Sequence, residues 1–124
     1  MVTYMSNDTA SFRREDISAV YGEIPLCVLT LKHESVECHH ALSRGYTFGY
    51  RGDRSMFSSV FNCIPLTREI HAGPLRDSPE LRRLFLRVAR ERVMNAVGLG
   101  SYEIKERDRW FLGFADSWIS NNPL

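Results

Sequence analysis

The chain has 124 residues, of which 44% are hydrophobic and 25% are charged. This length is typical of one domain, and the composition is typical of a globular fold rather than a disordered chain. No stretch approaches the roughly 18 apolar residues that a membrane span needs, and residues 1–16 lack the basic-then-apolar pattern of a signal peptide. These features argue against a membrane protein, an exported protein with a cleaved signal and a large multidomain enzyme, and they predict a cytoplasmic location.

The charge balance leaves nucleic acid open as a partner. The formal net charge is +1, which gives no overall basic field. The basic residues are 14 Arg and only two Lys, and the planar guanidinium of Arg is the better phosphate ligand. The bias of a GC-rich genome would explain the same excess. The three cysteines form no CxxC pair, which favours a reduced compartment over a disulfide framework.

The first third of the chain predicts strands after a polar start. Residues 1–22 predict an N-terminal arm with a short helix over Glu15–Tyr21, and the remaining residues predict a single domain. The apolar, β-branched run 24–32 predicts a strand. A turn at 33–35 then leads to a second predicted strand over 36–42.

Glycines and prolines divide the rest of the chain. Residues 43–58 have loop composition, 58–64 predict a third short strand, and Pro65 is expected to begin a short helix that Gly73 and Pro74 end. A stronger helix begins after the N-cap Ser78, with Pro79 in its first turn, and is ended by Gly98 and Gly100. Its apolar face comprises Leu81, Leu84, Phe85 and Val88. The tail aromatics, expected to pack onto the core, are Trp110, Phe111, Phe114 and Trp118.

Three pieces carry groups suited to phosphodiester chemistry. His39 and His40 are adjacent in a predicted strand, so they point to opposite faces and need not do the same job. Asn62 precedes the predicted short helix, and His71 lies inside it. Metal-assisted attack on a phosphodiester requires a cation beside the phosphate, a general base for water and a group that fixes the base.

The stretch Val36-Glu-Cys-His-His-Ala-Leu42, followed by Asn62-Cys-Ile-Pro-Leu66 and His71, resembles the HNH endonuclease family. The resemblance covers a motif core of residues 36–72 within a domain spanning 23–124. It implies an α+β fold with a ββα-metal core, here extended by an added helix and an aromatic C-terminal segment. The small size resembles stand-alone nucleases of the phage type.

The family's roles transfer to four positions of this chain. By resemblance, His39 and His71 would hold a divalent cation, His40 would act as the general base, and Asn62 would position the loop. The implied activity is metal-dependent hydrolysis of DNA, with RNA less favoured as a substrate. One such site nicks one strand, so a homodimer is left open as a partner for double-strand cleavage, and no membrane partner is expected.

The chain departs from the family at its zinc knuckles. The position three residues after Cys27 holds Thr30, and Thr67 and Ile70 stand where two further cysteines are usual. No structural zinc is therefore expected. Leu75 replaces a further ligand found in some relatives. With two imidazole ligands the cation is expected to be exchangeable, with Mg²⁺ favoured and Mn²⁺, Ni²⁺ or Zn²⁺ as alternatives.

Several arginines are candidate phosphate contacts. The loop arginines are expected to line the groove beside the cleaved strand, and Arg83, Arg87 and Arg90 share one helix face, for which a solvated surface is the default interpretation. The predicted nucleic-acid-binding residues are Arg44, Arg51, Arg54, Arg68, Arg76, Arg83 and Arg87.

Ordinary structural roles compete with each functional interpretation. The paired histidines could be plain strand residues, Asn62 a turn residue, and His71 a residue near a helix C-terminus. His33 fits a surface turn, and Cys38 and Cys63 fit small packing residues. The rival function is a non-catalytic nucleic-acid-binding or inhibitory protein on a degenerate HNH scaffold.

Overall fold

The computed structural model describes residues 12–42, 54–68 and 78–121. These residues form three α-helices and one two-stranded antiparallel sheet, which places the protein in the α+β class. The short helix predicted to begin at Pro65 and to contain His71 lies partly outside the described residues. The elements in chain order are α1 (Arg14–Tyr21), β1 (Val36–His40), β2 (Cys63–Thr67), α2 (Pro79–Gly98) and α3 (Glu106–Asn121).

The sheet pairs β1 with β2, so that Val36 lies opposite Thr67 and His40 opposite Cys63. A strand in 36–42 is confirmed, although it ends at His40. Pro65 was predicted to begin a helix, and this is wrong, because Pro65 lies inside β2. Proline is tolerated in an edge strand, and its carbonyl accepts a hydrogen bond from the Val28 N–H at 3.1 Å.

The strand predicted over 24–32 is wrong. The Cys27 N–H donates to the Lys32 carbonyl and the Leu31 N–H donates to the Cys27 carbonyl, both at 2.8 Å, which closes a turn instead of extending the chain. Leu31 adopts a φ of 60°, which no strand residue has. Within this run Pro25 and Cys27 are buried, and the exposed large apolar side chains are Ile24, Leu26, Leu29 and Leu31.

The strand predicted over 58–64 is correct only at its end. Two short 3-10 helices, Arg54–Ser58 and Val60–Asn62, precede β2, which begins at Cys63. The Ser59 hydroxyl accepts a hydrogen bond from the Phe61 N–H at 3.1 Å and so begins the second of them. A side chain that caps a turn therefore overrides the β propensity of the residues after it.

Helix α2 follows its predicted boundaries. The Ser78 hydroxyl accepts a hydrogen bond from the Leu81 N–H at 3.3 Å, Pro79 occupies the first helical position, and the helix ends at Gly98. Its predicted apolar face is displaced, because Phe85 is buried whereas the other three residues of that face are only half-buried. The buried row of α2 includes Arg82, Phe85, Ala89, Val93 and Ala96.

The C-terminal aromatic segment forms α3 and packs onto the core through Phe111 and Trp118. Phe114 packs edge-on against Phe57, with 5.2 Å between ring centroids. Trp110 was expected in the core, but it is 61% exposed, because it lies roughly a quarter of the way around α3 from the buried row of Phe111 and Trp118. No helix among the described residues is both long enough and apolar enough to cross a membrane.

Candidate functional site

The two adjacent histidines occupy different environments at the end of β1. The His39 side chain is buried, with the residue 3% exposed, and lies opposite Ile64. His40 is half-buried, and its ring packs against Phe12 with 4.5 Å between centroids and an interplanar angle of 32°. Phe12 therefore restrains the orientation of His40 on one side of the ring.

Asn62 braces the backbone that follows His40. Its side chain is buried, its Oδ1 accepts a hydrogen bond from the Leu42 N–H at 2.8 Å, and its Nδ2 donates to the Leu42 carbonyl at 3.2 Å. Nδ2 also donates to the Phe57 carbonyl at 3.1 Å, and the Asn62 carbonyl accepts from the Ala41 N–H at 2.8 Å. One residue thus ties the exit of β1 to the entrance of β2.

Arg82 completes this brace from α2, and sequence reasoning missed it. The residue is only 1% exposed, and its Nη1 donates to the carbonyls of His40 at 2.8 Å and Ala41 at 3.0 Å. Together with Asn62 it fixes the backbone of residues 40–42. Arg82 falls in the row of buried residues at Phe85, Ala89 and Val93, so its spacing was the signal that could have identified it.

The Arg82 guanidinium also lies next to His39, one of the two predicted cation ligands. Arg82 Nη1 lies 3.4 Å from His39 Nε2, so a cation bound to that nitrogen would sit beside a permanent positive charge. No group of three or more His, Cys, Asp or Glu residues suited to a metal is found within residues 12–42, 54–68 and 78–121. The second predicted ligand, His71, lies outside the described residues. The structure therefore describes one of the two predicted ligands, His39, with the Arg82 guanidinium beside its Nε2.

No protein-family model, curated protein or solved structure matches the chain. The likeness to HNH endonucleases therefore rests on the residues quoted above.

The predicted phosphate contacts are dispersed. Arg68 is exposed and pairs with Glu37 of β1 at 3.5 Å. Arg83 and Arg87 line a groove between α2 and α3, whose described lining does not include His39 or His40. The structure therefore does not bring these described arginines to one surface beside His40. The remaining predicted contacts, Arg44, Arg51, Arg76 and the side chain of Arg54, lie outside the described part of the chain.

The three thiols are buried around the sheet. Burial raises the pKa of Cys63, and a hydrogen bond with Cys38 raises it further, so Cys63 acts as a packing group at neutral pH. Burial also raises the pKa of Cys27, but hydrogen bonds from the Thr30 side chain and from backbone groups including Thr67 outweigh it, and the net pKa is lowered. Thr30 and Thr67 thus contact Cys27 through hydrogen bonds.

Proposed function

We propose that this protein is an endonuclease that hydrolyses phosphodiester bonds of DNA, nicking one strand per site, with His40 as the general base. The observation that carries the proposal is the brace formed by Asn62 and Arg82 around the backbone of residues 40–42. Two buried polar groups that fix the backbone at one strand end are expected where the position of a side chain at that end matters for function. His40 is the titratable side chain at that strand end which keeps contact with solvent.

In the proposed reaction, His40 accepts one proton. A water molecule attacks phosphorus as its proton passes to the imidazole, an O–P bond forms, and the bond to the leaving oxygen breaks. Imidazole suits this step because its ordinary pKa is about 6.5. A base must hold its geometry to within a fraction of an ångström, and the Phe12 ring and the braced backbone supply that constraint.

A divalent cation is part of the proposal through the family resemblance. When bound, it would supply charge stabilisation for the leaving oxygen. Mg²⁺ is favoured, with Mn²⁺, Ni²⁺ or Zn²⁺ as alternatives, and His39 and His71 are the proposed ligands. Because Arg82 lies beside His39 Nε2, the dependence of activity on metal is measured together with the His40 variant.

A plasmid-nicking assay tests the proposal. Supercoiled DNA is incubated with the wild type, His40→Ala and His33→Ala, each with Mg²⁺, Mn²⁺ or EDTA. His33 is the matched control because it is an exposed histidine in the same part of the chain. We expect His40→Ala to lose about 100-fold or more in rate and His33→Ala to match the wild type. Equal rates for the two variants would exclude His40 as the base.

The rival function is a non-catalytic nucleic-acid-binding protein, and one observation favours it. Arg82 places a fixed positive charge where a metal-binding His39 would need space for a cation. Gel-shift measurements beside the nicking assay separate the two, with duplex, branched and single-stranded DNA and RNA as ligands. Binding without cleavage under every metal condition would support the rival and overturn the nuclease.

A further inference from the structure

A groove of about 400 Å³ separates α2 from α3, away from the β1 end. Sites for small molecules typically have volumes of about 300–1,000 Å³. The apolar lining comes from both helices and from Phe61, next to Asn62, and the polar lining comes from arginines and carboxylates on the rim. The apolar residues are Phe61, Leu84, Leu86, Phe111, Leu112, Ala115 and Ile119.

The charges at the rim are unevenly matched. Three arginines, Arg83, Arg87 and Arg90, face two carboxylates, Glu80 and Asp116. Arg90 pairs with Asp116 at 3.4 Å, and Arg83 donates to the Ile119 carbonyl at 3.2 Å.

Arg87 differs from its two neighbours. Its guanidinium donates no hydrogen bond to, and forms no ion pair with, the residues that the structure describes, and it is exposed. It lies one helical turn, about 6 Å, beyond Arg83 along α2. The groove therefore combines an apolar floor with one uncompensated cation at its edge.

We propose that this groove binds a small amphipathic anion, with an apolar body on the floor and a single phosphate, sulfate or carboxylate at Arg87. Charge complementarity fixes the sign of the ligand, and the apolar lining fixes its body. Contacts to the DNA backbone are polar and made mainly to phosphate and sugar, so a DNA strand would leave this floor unused. The inference stands independently of the nuclease activity.

Calorimetric titration with three probes tests the proposal. Octyl phosphate carries both features, octanol has only the apolar body, and inorganic phosphate has only the charge. We expect saturable binding of one octyl phosphate per chain and affinities at least about tenfold lower for the other two probes. Equal affinity for octanol and octyl phosphate would overturn the assignment of the anion.

Variants locate the binding. Arg87→Gln and Leu84→Gln are each expected to weaken octyl phosphate binding by about tenfold, because one removes the charge and the other makes the floor polar. Arg92→Gln is the matched control, since Arg92 is exposed on the same helix and does not line the groove. Circular dichroism verifies that each variant is folded. If both test variants bind like the control, the groove is not the site.

Two further arms distinguish the source of the ligand. Phosphatidylglycerol vesicles are expected not to sediment the protein, because the groove accommodates a free molecule of limited size. A duplex oligonucleotide is expected not to displace octyl phosphate. Sedimentation with vesicles would assign the chemistry to a lipid surface, and displacement by the duplex would assign the groove to nucleic acid. Either result would overturn the proposal.

Discussion

At the scale of single residues, the end of β1 is held by side-chain groups in addition to its backbone pairing with β2. Asn62→Ala would leave the buried Leu42 N–H, the Leu42 carbonyl and the Phe57 carbonyl without these partners. We expect the free energy of unfolding to fall by about 2–4 kcal/mol, measured by urea denaturation. Asn95→Ala, at an exposed position of α2, is the control and should leave stability nearly unchanged.

Two substitutions of Arg82, measured by the same urea denaturation, test its contribution to the free energy of unfolding. Arg82→Met fills similar space but removes the donors to the His40 and Ala41 carbonyls, so we expect a loss of about 2 kcal/mol. Arg82→Lys keeps a charged donor and should lose less. Arg92→Met, exposed on the same helix, should be near wild type. If Arg82→Met unfolded at the wild-type urea concentration, Arg82 would not belong to the brace.

The residue types in the sequence indicate only some of the residues that form the site at the end of β1. Strand alternation predicts that His39 and His40 face different environments, and they do, because one is buried and the other half-buried. Asn62 stood out only through its place in a motif. Arg82 gave no chemical signal, because a charged residue in a helix is by default assigned to the solvated face. Its burial depends on carbonyls more than forty residues earlier in the chain.

At the scale of elements, α2 depends on a local start signal. Ser78→Ala removes the hydroxyl that accepts from the Leu81 N–H, and we expect a loss of about 1 kcal/mol in the free energy of unfolding. Ser117→Ala is the control, because Ser117 is exposed within α3, where alanine has the higher helix propensity. Thermal and urea denaturation should agree on the ranking. Equal stability of the two variants would remove Ser78 as a stabilising cap.

Local signals explain which elements were predictable. Helix α2 carries its own N-cap and ends at glycine, so a few adjacent residues define it. Residues 24–32 and Pro65 were misassigned because their conformations depend on each other: the Val28 N–H donates to the Pro65 carbonyl, and Cys27 contacts Thr67. A run of apolar residues cannot reveal a partner nearly forty positions away.

At the scale of the whole molecule, a buried polar cluster joins the helices to the 3-10 segment. Asp108 accepts hydrogen bonds from the Ser59 hydroxyl at 2.5 Å and the Tyr102 hydroxyl at 2.6 Å. Asp16 of α1 pairs with Arg107 at 2.6 Å and Lys105 at 3.2 Å. The Ser59–Asp108 hydrogen bond and the two Asp16 ion pairs were not predictable, because they join residues that are 49 or more positions apart. Packing of α1 and α3 around the sheet thus follows from long-range polar contacts as well as from apolar burial.

Two tyrosine hydroxyls, those of Tyr21 and Tyr102, make the stability of the fold sensitive to alkaline pH. Burial raises the pKa of Tyr21, and burial together with the hydrogen bond to Asp108 raises that of Tyr102. A raised pKa in the folded state means that stability is fully present below the unfolded value of 10.0 and is lost as pH rises above it. We expect the free energy of unfolding to fall by up to about 1.4 kcal/mol per pH unit for each group.

The slope of stability against pH identifies the groups responsible. Tyr21→Phe and Tyr102→Phe each remove one titrating hydroxyl, so each should flatten the decline above about pH 10, even though each also loses a hydrogen bond at neutral pH. The double variant should flatten it by the sum of the two, because the hydroxyls occupy separate sites, one on the Cys63 carbonyl and the other on Asp108. Urea denaturation across the alkaline range measures this slope. Single variants that decline as steeply as the wild type would show that the two tyrosines remain protonated in both states, or titrate equally in both, and would remove burial as the cause.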